Sequence, residues 1–225
     1  MKPLTSILNA QPPTKIIDAS INISEYTPLN LSVSNEELVS QKLDTSEDFE
    51  KYISKFLKEN NAKVAFGGYI EGRFLYQRSP IFLDVSKPER NIHIGLDLWA
   101  EAGTVVLAAL DGIVHSFKNN IGLGDYGPTI ILEHEVENEK FYTLYGHLSL
   151  ESIENLNIGD QFKKGEKIAT LGNASVNGDY APHLHFQIIH NIGDYWGDYP
   201  GVCNTNDLNF YIENCPDPNL LLKIT

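Results

Sequence analysis

The sequence predicts a mainly β protein, an antiparallel sheet or sandwich with a short helical extension at the N-terminus. Short apolar runs separated by turn residues recur at close spacing from residue 62 to residue 190. The 17 glycines and 11 prolines are spread through the 225 residues, which is typical of turn-rich β proteins. Sustained helical periodicity is clear at one place near the N-terminus, so the strand–helix alternation of a parallel sheet is not indicated.

Three parts are predicted along the chain. Residues 1–61 form an N-terminal arm with helices, and the polar, irregular residues 1–33 are expected to be extended. The clear helix runs from about Thr45 to Glu59, because its apolar residues recur at helical spacing; they are Phe49, Tyr52, Ile53, Phe56 and Leu57. Residues 62–190 form the β domain. Residues 191–225 are predicted to be a tail packed on that domain, with a wall of a cleft as the alternative.

The β domain contains two patterns whose interpretation matters later. Glu71-Gly72 is predicted to be the turn of a hairpin between residues 69–70 and 73–76. The segment Gly122–Gly127 matches GxGxxG, the pattern of a nucleotide-binding loop. Pro128 and β-branched residues follow it, so no helix begins there to receive a phosphate. We therefore interpret the segment as a loop between two strands.

The composition limits the classes of partner. The net charge of −13 argues against binding to nucleic acid or to an anionic membrane surface. No apolar run approaches the roughly 18–20 residues that a membrane span needs. The first residues lack the apolar core of a secretory signal, so we expect a cytoplasmic protein, or a periplasmic or secreted one if the sequence has been trimmed.

Two histidines in one predicted strand are the first functional signal. His183 and His185 are two residues apart in the sequence PHLHFQII, and alternate side chains of a strand face the same side. The pair alone fits a solvent-facing strand equally well, because HxH is a weak motif. His93 and Asp97, four residues apart, also share a face in a strand or a helix. With His185 they make three zinc ligands and leave the fourth tetrahedral position for water, which is typical of a catalytic site.

Two further histidines are then available beside the metal. His147 ends an aromatic-rich predicted strand in the sequence YGHL, and His183 adjoins His185. Hydrolysis needs a base for the attacking water and a donor for the developing oxyanion, and imidazoles suit both tasks near neutral pH. The remaining histidines have no partner at ligand spacing and are set aside as ordinary surface or core-edge residues; they are His115, His134 and His190.

The motifs HxGxD, YxHL and PHLHF, in this order, resemble those of the lysostaphin/LytM-type zinc metallopeptidases, which are peptidoglycan and glycyl-glycine endopeptidases. The resemblance covers about residues 88–190. It implies the antiparallel fold called the duplicated hybrid motif and one zinc ion on His93, Asp97 and His185. It also implies that His147 and His183 occupy the catalytic positions.

Flanking segments add a narrower resemblance. Residues 69–76, 197–202 and 215–222 are similar to a metallopeptidase-like module that some large proteins carry between a kinase-like domain and a class III aminotransferase domain. We therefore expect a zinc metalloendopeptidase that cleaves amide bonds in a short peptide or a peptidoglycan-derived muropeptide. The alternatives are a non-catalytic binding or activator module on the same scaffold, and a zinc hydrolase of a small non-peptide metabolite.

Overall fold

The structure is a computed structural model that describes residues 2–36, 38, 41, 43–73 and 88–224. Its helices there are short except for the second one. They are α1 (Leu4–Ala10), a 3₁₀ turn (Ile23–Glu25), α2 (Ser46–Glu59), α3 (Glu151–Glu154), α4 (Leu208–Asn214) and α5 (Asn219–Leu222). Across the described ranges, no helix has both the length and the apolar content that crossing a membrane requires.

The strands carry most of the regular structure, as the sequence predicts. They are β1 (Tyr26–Pro28), β2 (Val64–Gly67), β3 (Glu71–Gly72), β4 (Ile92–His93), β5 (Leu96–Trp99), β6 (Val105–Leu107), β7 (Gly112–Asn120), β8 (Gly127–Val136), β9 (Glu139–Gly146), β10 (Gln161–Phe162), β11 (Lys167–Thr170), β12 (His183–Ile189) and β13 (Val202–Cys203).

One large sheet organises the domain, with the strand order β1-β2-β5-β12-β9-β8-β7-β10. Its neighbours pair antiparallel, except that β1 runs parallel to β2. Two small sheets accompany it: β11 pairs with β6, and β4 lies between β13 and β3. The prediction of a mainly β, antiparallel fold with a helical N-terminal extension is confirmed.

Strand β12 lies near the middle of the large sheet and is buried along its whole length. Its two faces carry different kinds of side chain, because successive side chains of a strand point to opposite faces of the sheet. Leu184, Phe186 and Ile188 belong to the main hydrophobic core. The three residues between and before them are polar and equally buried; they are His183, His185 and Gln187. The apolar face therefore fixes the strand, and the polar face is available for a site.

The predicted N-terminal helix is confirmed as α2. Thr45 precedes its first residue, and the Thr45 side chain accepts a hydrogen bond from the backbone N–H of Asp48, as an N-cap does. The extended arm is wrong for its first residues. Leu4, Ile7 and Leu8 are buried on one face of α1, because the spacing i, i+3, i+4 makes a single apolar face in even a short helix.

The predicted hairpin around Glu71-Gly72 is also wrong where the structure describes it. These two residues are not a turn but strand β3, which pairs antiparallel with β4. The turn comes earlier, at Gly68 and Ile70, which both have positive φ angles. The second arm of the hairpin, from residue 74 onward, lies outside the described residues.

Candidate metal centre

Three neighbouring strands bring the predicted ligands together. His185 on β12 lies directly opposite Asp97 on β5, in register across the antiparallel pair. His93 ends β4, and only two residues separate it from β5. The positions of His93 and Asp97 are therefore set by the bend between two strands rather than by one straight strand. All three side chains are buried.

The three ligand atoms form a compact triangle. His93 Nε2 is 2.8 Å from His185 Nδ1, and Asp97 Oδ1 is 3.3 Å from His93 Nε2 and 3.2 Å from His185 Nδ1. Tetrahedral zinc with bonds of about 2.0–2.1 Å has ligand–ligand edges of about 3.3–3.4 Å. Asp97 Oδ1 is buried without a hydrogen-bond partner among the described residues. The triangle and this unsatisfied oxygen fit a metal ion.

The outward-facing atoms of the same three residues are held by hydrogen bonds. His93 Nδ1 donates to the carbonyl oxygen of Gly68 at 2.8 Å. His185 Nε2 donates to Gln187 Oε1 at 2.9 Å. Asp97 Oδ2 accepts a hydrogen bond from Arg73 Nη1 at 2.6 Å. Such partners fix the tautomer and orientation of metal ligands, so each residue directs one remaining atom toward the triangle.

His147 and His183 lie beside the triangle with the same kind of anchoring. His147 Nδ1 donates to the Asn177 carbonyl at 2.8 Å, and His183 Nδ1 donates to the Ala181 carbonyl at 2.7 Å. A carbonyl oxygen only accepts, so in the neutral rings both Nε2 atoms carry a lone pair. The two ring centroids are 4.2 Å apart, and His183 Nε2 is 3.9 Å from Asp97 Oδ1.

His147 is held in a sparsely populated backbone conformation. Its φ is +62°, and its N–H donates to the carbonyl of Tyr126 at 2.9 Å. Such conformations cost about 1–3 kcal/mol and persist where surrounding structure enforces them, often at functional sites. The turn after β9 directs the His147 ring toward the ring of His183, while β9 itself ends at the preceding residue.

Burial favours the uncharged form of three imidazoles, those of His93, His147 and His183. It lowers the pKa of His93 to about 4, and it lowers the pKa values of His147 and His183 as well. Burial alone would raise the pKa of Asp97, but His93, Arg73 and the other neighbouring histidines outweigh it and hold that pKa well below its ordinary value. Neutral imidazoles and an ionised carboxylate are the forms that bind a metal.

A cavity of about 360 Å³ opens onto the five residues. Helix α2 contributes Phe49 to its wall, and Trp99, Tyr126 and Tyr180 add aromatic surface. The C-terminal part contributes Tyr195 and every residue from Asp198 to Val202. This part of the C-terminal segment therefore contributes to the wall of the cleft.

Comparison with known proteins identifies the central part of the chain. Residues 91–195 match peptidase family M23. This part of the chain is similar to peptidase family M23. The resemblance to the lysostaphin/LytM-type metallopeptidases is thereby confirmed, and the M23 segment contains all five predicted site residues.

Individual relatives match over a similar length. An uncharacterized metalloprotease of Haemophilus influenzae is 35% identical over 95 residues, which are 42% of this chain and 18% of that protein. The peptidoglycan DD-endopeptidase ShyC of Vibrio cholerae is 33% identical over 100 residues, 44% of this chain and 20% of that protein. The matched segment thus spans about a fifth of these longer relatives.

A solved structure with a similar M23 segment is the catalytic domain of lysostaphin from Staphylococcus simulans. It is 26% identical, and the superposition covers 54% of this chain and 80% of that chain, with a TM-score of 0.37.

Three residues near the M23 centre were not predicted from the sequence. Gln187 could have been predicted, because the alternation of side chains along a strand places it on the same face as His185. Tyr126 belongs to the Gly122–Gly127 segment, which is a loop between β7 and β8 as interpreted, and its ring lies 5.1 Å from that of His185. Arg73 gave no signal, since 24 residues separate it from Asp97.

The three histidines set aside do not line the cavity. His134 hydrogen-bonds to the Asp111 carbonyl and to Thr143. His190 pairs with Glu139, and His115 packs against Tyr142 and Trp196. His134 is fully buried rather than at a core edge, because the hydroxyl and the carbonyl satisfy both of its ring nitrogens.

Proposed function

We propose that the chain is a zinc-dependent metalloendopeptidase that hydrolyses amide bonds in a short peptide or a peptidoglycan-derived substrate. One observation carries the proposal: three ligand atoms that lie 2.8–3.3 Å apart and two inward-facing imidazoles share one cavity. The match of the central segment to a peptidase family supports it. The name of the Vibrio cholerae relative, a peptidoglycan DD-endopeptidase, supports the peptidoglycan-derived class of substrate.

The donor set favours zinc. Two imidazole nitrogens and one carboxylate oxygen are ordinary zinc ligands, and three protein ligands with an open fourth position are typical of catalytic zinc. When bound, zinc acts as a Lewis acid that makes water a nucleophile near neutral pH. His93, Asp97 and His185 would hold it, and their hydrogen bonds to Gly68, Arg73 and Gln187 would keep them oriented.

His147 and His183 would move protons. Their Nδ1–H groups are committed to carbonyl oxygens, so only Nε2 of each ring is free to exchange a proton with substrate or water. Because both pKa values are lowered by burial, both rings start neutral at pH 7 and are ready to accept a proton. A ring that has taken a proton becomes a donor for the oxyanion or for the leaving amine.

The test is hydrolysis of oligoglycines, cross-linked muropeptides and other short peptides by the zinc-supplied protein. His147→Ala and His183→Ala should each lower the rate about 10²- to 10⁴-fold, the usual contribution of general acid–base catalysis. Both variants should keep their zinc, since neither residue belongs to the ligand triangle. The matched control is His190→Ala, whose ring lies outside the cavity. Unchanged rates in both site variants would refute these roles.

A further inference from the structure

We propose that the cavity takes a short ligand carrying a primary ammonium group, which Asp125 and Asp198 bind. This inference rests on the proposed function, because it names the class of substrate for the same cavity. Asp125 lies in the loop between β7 and β8, and Asp198 lies in the C-terminal wall. Both carboxylates line the cavity and are partly exposed to it.

Neither Asp125 nor Asp198 forms an ion pair within the part of the chain that the structure describes, although both line the cavity. Arg73, which also lines it, is engaged by Asp97 and Glu71. Arg90 donates two hydrogen bonds to the Val202 carbonyl. Burial and the nearby charge of Asp198 raise the pKa of Asp125. A bound cation would remove this cost by pairing with both carboxylates.

An independent observation shows that the cavity is built to receive a ligand. Asp97 lines the same cavity and is 1% exposed, yet its Oδ1 has no hydrogen-bond partner in the part of the chain that the structure describes. Leaving a buried carboxylate oxygen unsatisfied is costly. A metal ion fits this oxygen, and a metal with an open position also binds a further ligand group. The acidic pair therefore lies in the wall of a site that is organised around a ligand.

The cavity is small and its walls are fixed. Its volume of about 360 Å³ is near the lower end of the range of about 300–1,000 Å³ for small-molecule sites. The C-terminal wall is held by three backbone contacts: the Pro200 carbonyl accepts from Gln187, the Gly201 carbonyl from the Ile94 N–H, and the Val202 carbonyl from Arg90.

Another part of the wall is fixed from outside the M23 segment. Phe49 on α2 lines the cavity, and the Ser46 hydroxyl at the start of α2 donates to Asp179 Oδ1 at 2.5 Å. The aromatic rings that line the cavity would favour a cation over a neutral end group. Segments before and after the M23 match thus restrict the length of the ligand, and the acidic pair selects its charge.

The experiment measures binding rather than turnover. Titration calorimetry compares triglycine, which has a free α-amine, with N-acetyl-triglycine, which has none, on zinc-supplied and on chelator-treated protein. N-acetyl-glycyl-lysine amide carries its amine on the side chain. It therefore distinguishes binding of a side-chain ammonium group from binding of a peptide N-terminus. The variants are Asp125→Asn and Asp198→Asn. Asp194→Asn is the matched control, because Asp194 is exposed near Asp198 but does not line the cavity.

Wild-type protein should bind an amine-bearing peptide at least about tenfold more tightly than N-acetyl-triglycine. Each cavity variant should weaken that binding about 10- to 100-fold, as expected for loss of a charge-assisted hydrogen bond. Binding of N-acetyl-triglycine should change less than about twofold. Equal affinity for amine-bearing and acetylated peptides would overturn the inference. So would an equal loss in Asp194→Asn, or no binding of either amine-bearing peptide.

Hydrolysis of the same peptides separates this inference from the proposed function. Amine-dependent binding that needs Asp125 and Asp198, without any hydrolysis, would retain the inference and remove the peptidase proposal. Hydrolysis of triglycine and N-acetyl-triglycine with equal KM would retain the peptidase and overturn the inference. Persistence of the amine preference in chelator-treated protein would show that the carboxylates, rather than the metal, select the ammonium group.

Discussion

Arg73 is expected to stabilise the protein strongly by neutralising two carboxylates beside the ligand triangle. Its side chain is 2% exposed, and its guanidinium contacts Asp97 Oδ2 at 2.6 Å and Glu71 Oε2 at 2.5 Å. The guanidinium carbon lies 5.5 Å from the ring centre of Trp99. Replacing Arg73 with Met keeps most of the volume and removes the charge. The buried Asp97 and the partly buried Glu71 are then left without their cation.

The expected cost is large for a single substitution. Removing one partner of a buried ion pair costs about 3–5 kcal/mol, because the other charge stays buried and uncompensated. A whole domain is stable by only about 5–15 kcal/mol. Arg73→Met should therefore lower the free energy of unfolding of the metal-free protein by about 3–5 kcal/mol, measured by urea denaturation in the presence of chelator.

A double-mutant cycle tests the electrostatic reason. In an Asp97→Asn background one of the two stranded charges is absent, so Arg73→Met should cost at least about 1 kcal/mol less. Lys63→Met is the control, because its ion pair with Glu25 is at the surface and should contribute far less. A cost below about 1 kcal/mol for Arg73→Met, or the same cost in both backgrounds, would refute the reasoning.

Two further predictions concern Gln187 and His134. Gln187→Leu should weaken zinc binding about 10- to 100-fold, measured by chelator competition, because His185 Nε2 loses its hydrogen-bond acceptor. Gln187→Glu keeps an acceptor oxygen, so its zinc affinity should fall less. Equal losses of affinity in the two variants would contradict this reasoning. Burial lowers the pKa of His134 to about 4, so the unfolded chain takes up a proton there from about pH 6.5 downward while the folded chain does not. Acidification from about pH 6.5 to 4 should therefore lower the free energy of unfolding of the wild type by up to about 3 kcal/mol more than that of His134→Gln. Urea unfolding of both proteins at pH 8, 6 and 4.5 measures this difference. Parallel pH profiles of the two proteins would rule this out.

The sequence pointed to the five candidate site residues, which the structure brings to one cavity, but it did not point to the residues that support them. Strand alternation is a local rule, so His183 and His185 could be placed on one face from their spacing alone. The pairing of His185 with Asp97, 88 residues earlier, could not be read from spacing, because the register of β12 against β5 depends on the whole sheet. The family resemblance supplied that link.

The errors have physical reasons of the same kind. Glu71-Gly72 has the composition of a turn, but β4 offers a partner strand, and pairing outweighs local preference. The short helix α1 is stabilised by burial of Leu4, Ile7 and Leu8 rather than by a strong intrinsic signal. Arg73 and the C-terminal wall act through contacts between distant segments, which a single sequence does not reveal.

Metal content measured by plasma mass spectrometry tests the central claim most directly. Wild-type protein, His185→Ala and the control His190→Ala are purified without added metal and measured again after zinc is supplied and the excess removed. About one zinc per chain is predicted for the wild type and for His190→Ala, with loss in His185→Ala. A wild type that takes up no zinc, or a His185→Ala protein that keeps the wild-type amount, would contradict the assignment of the metal centre.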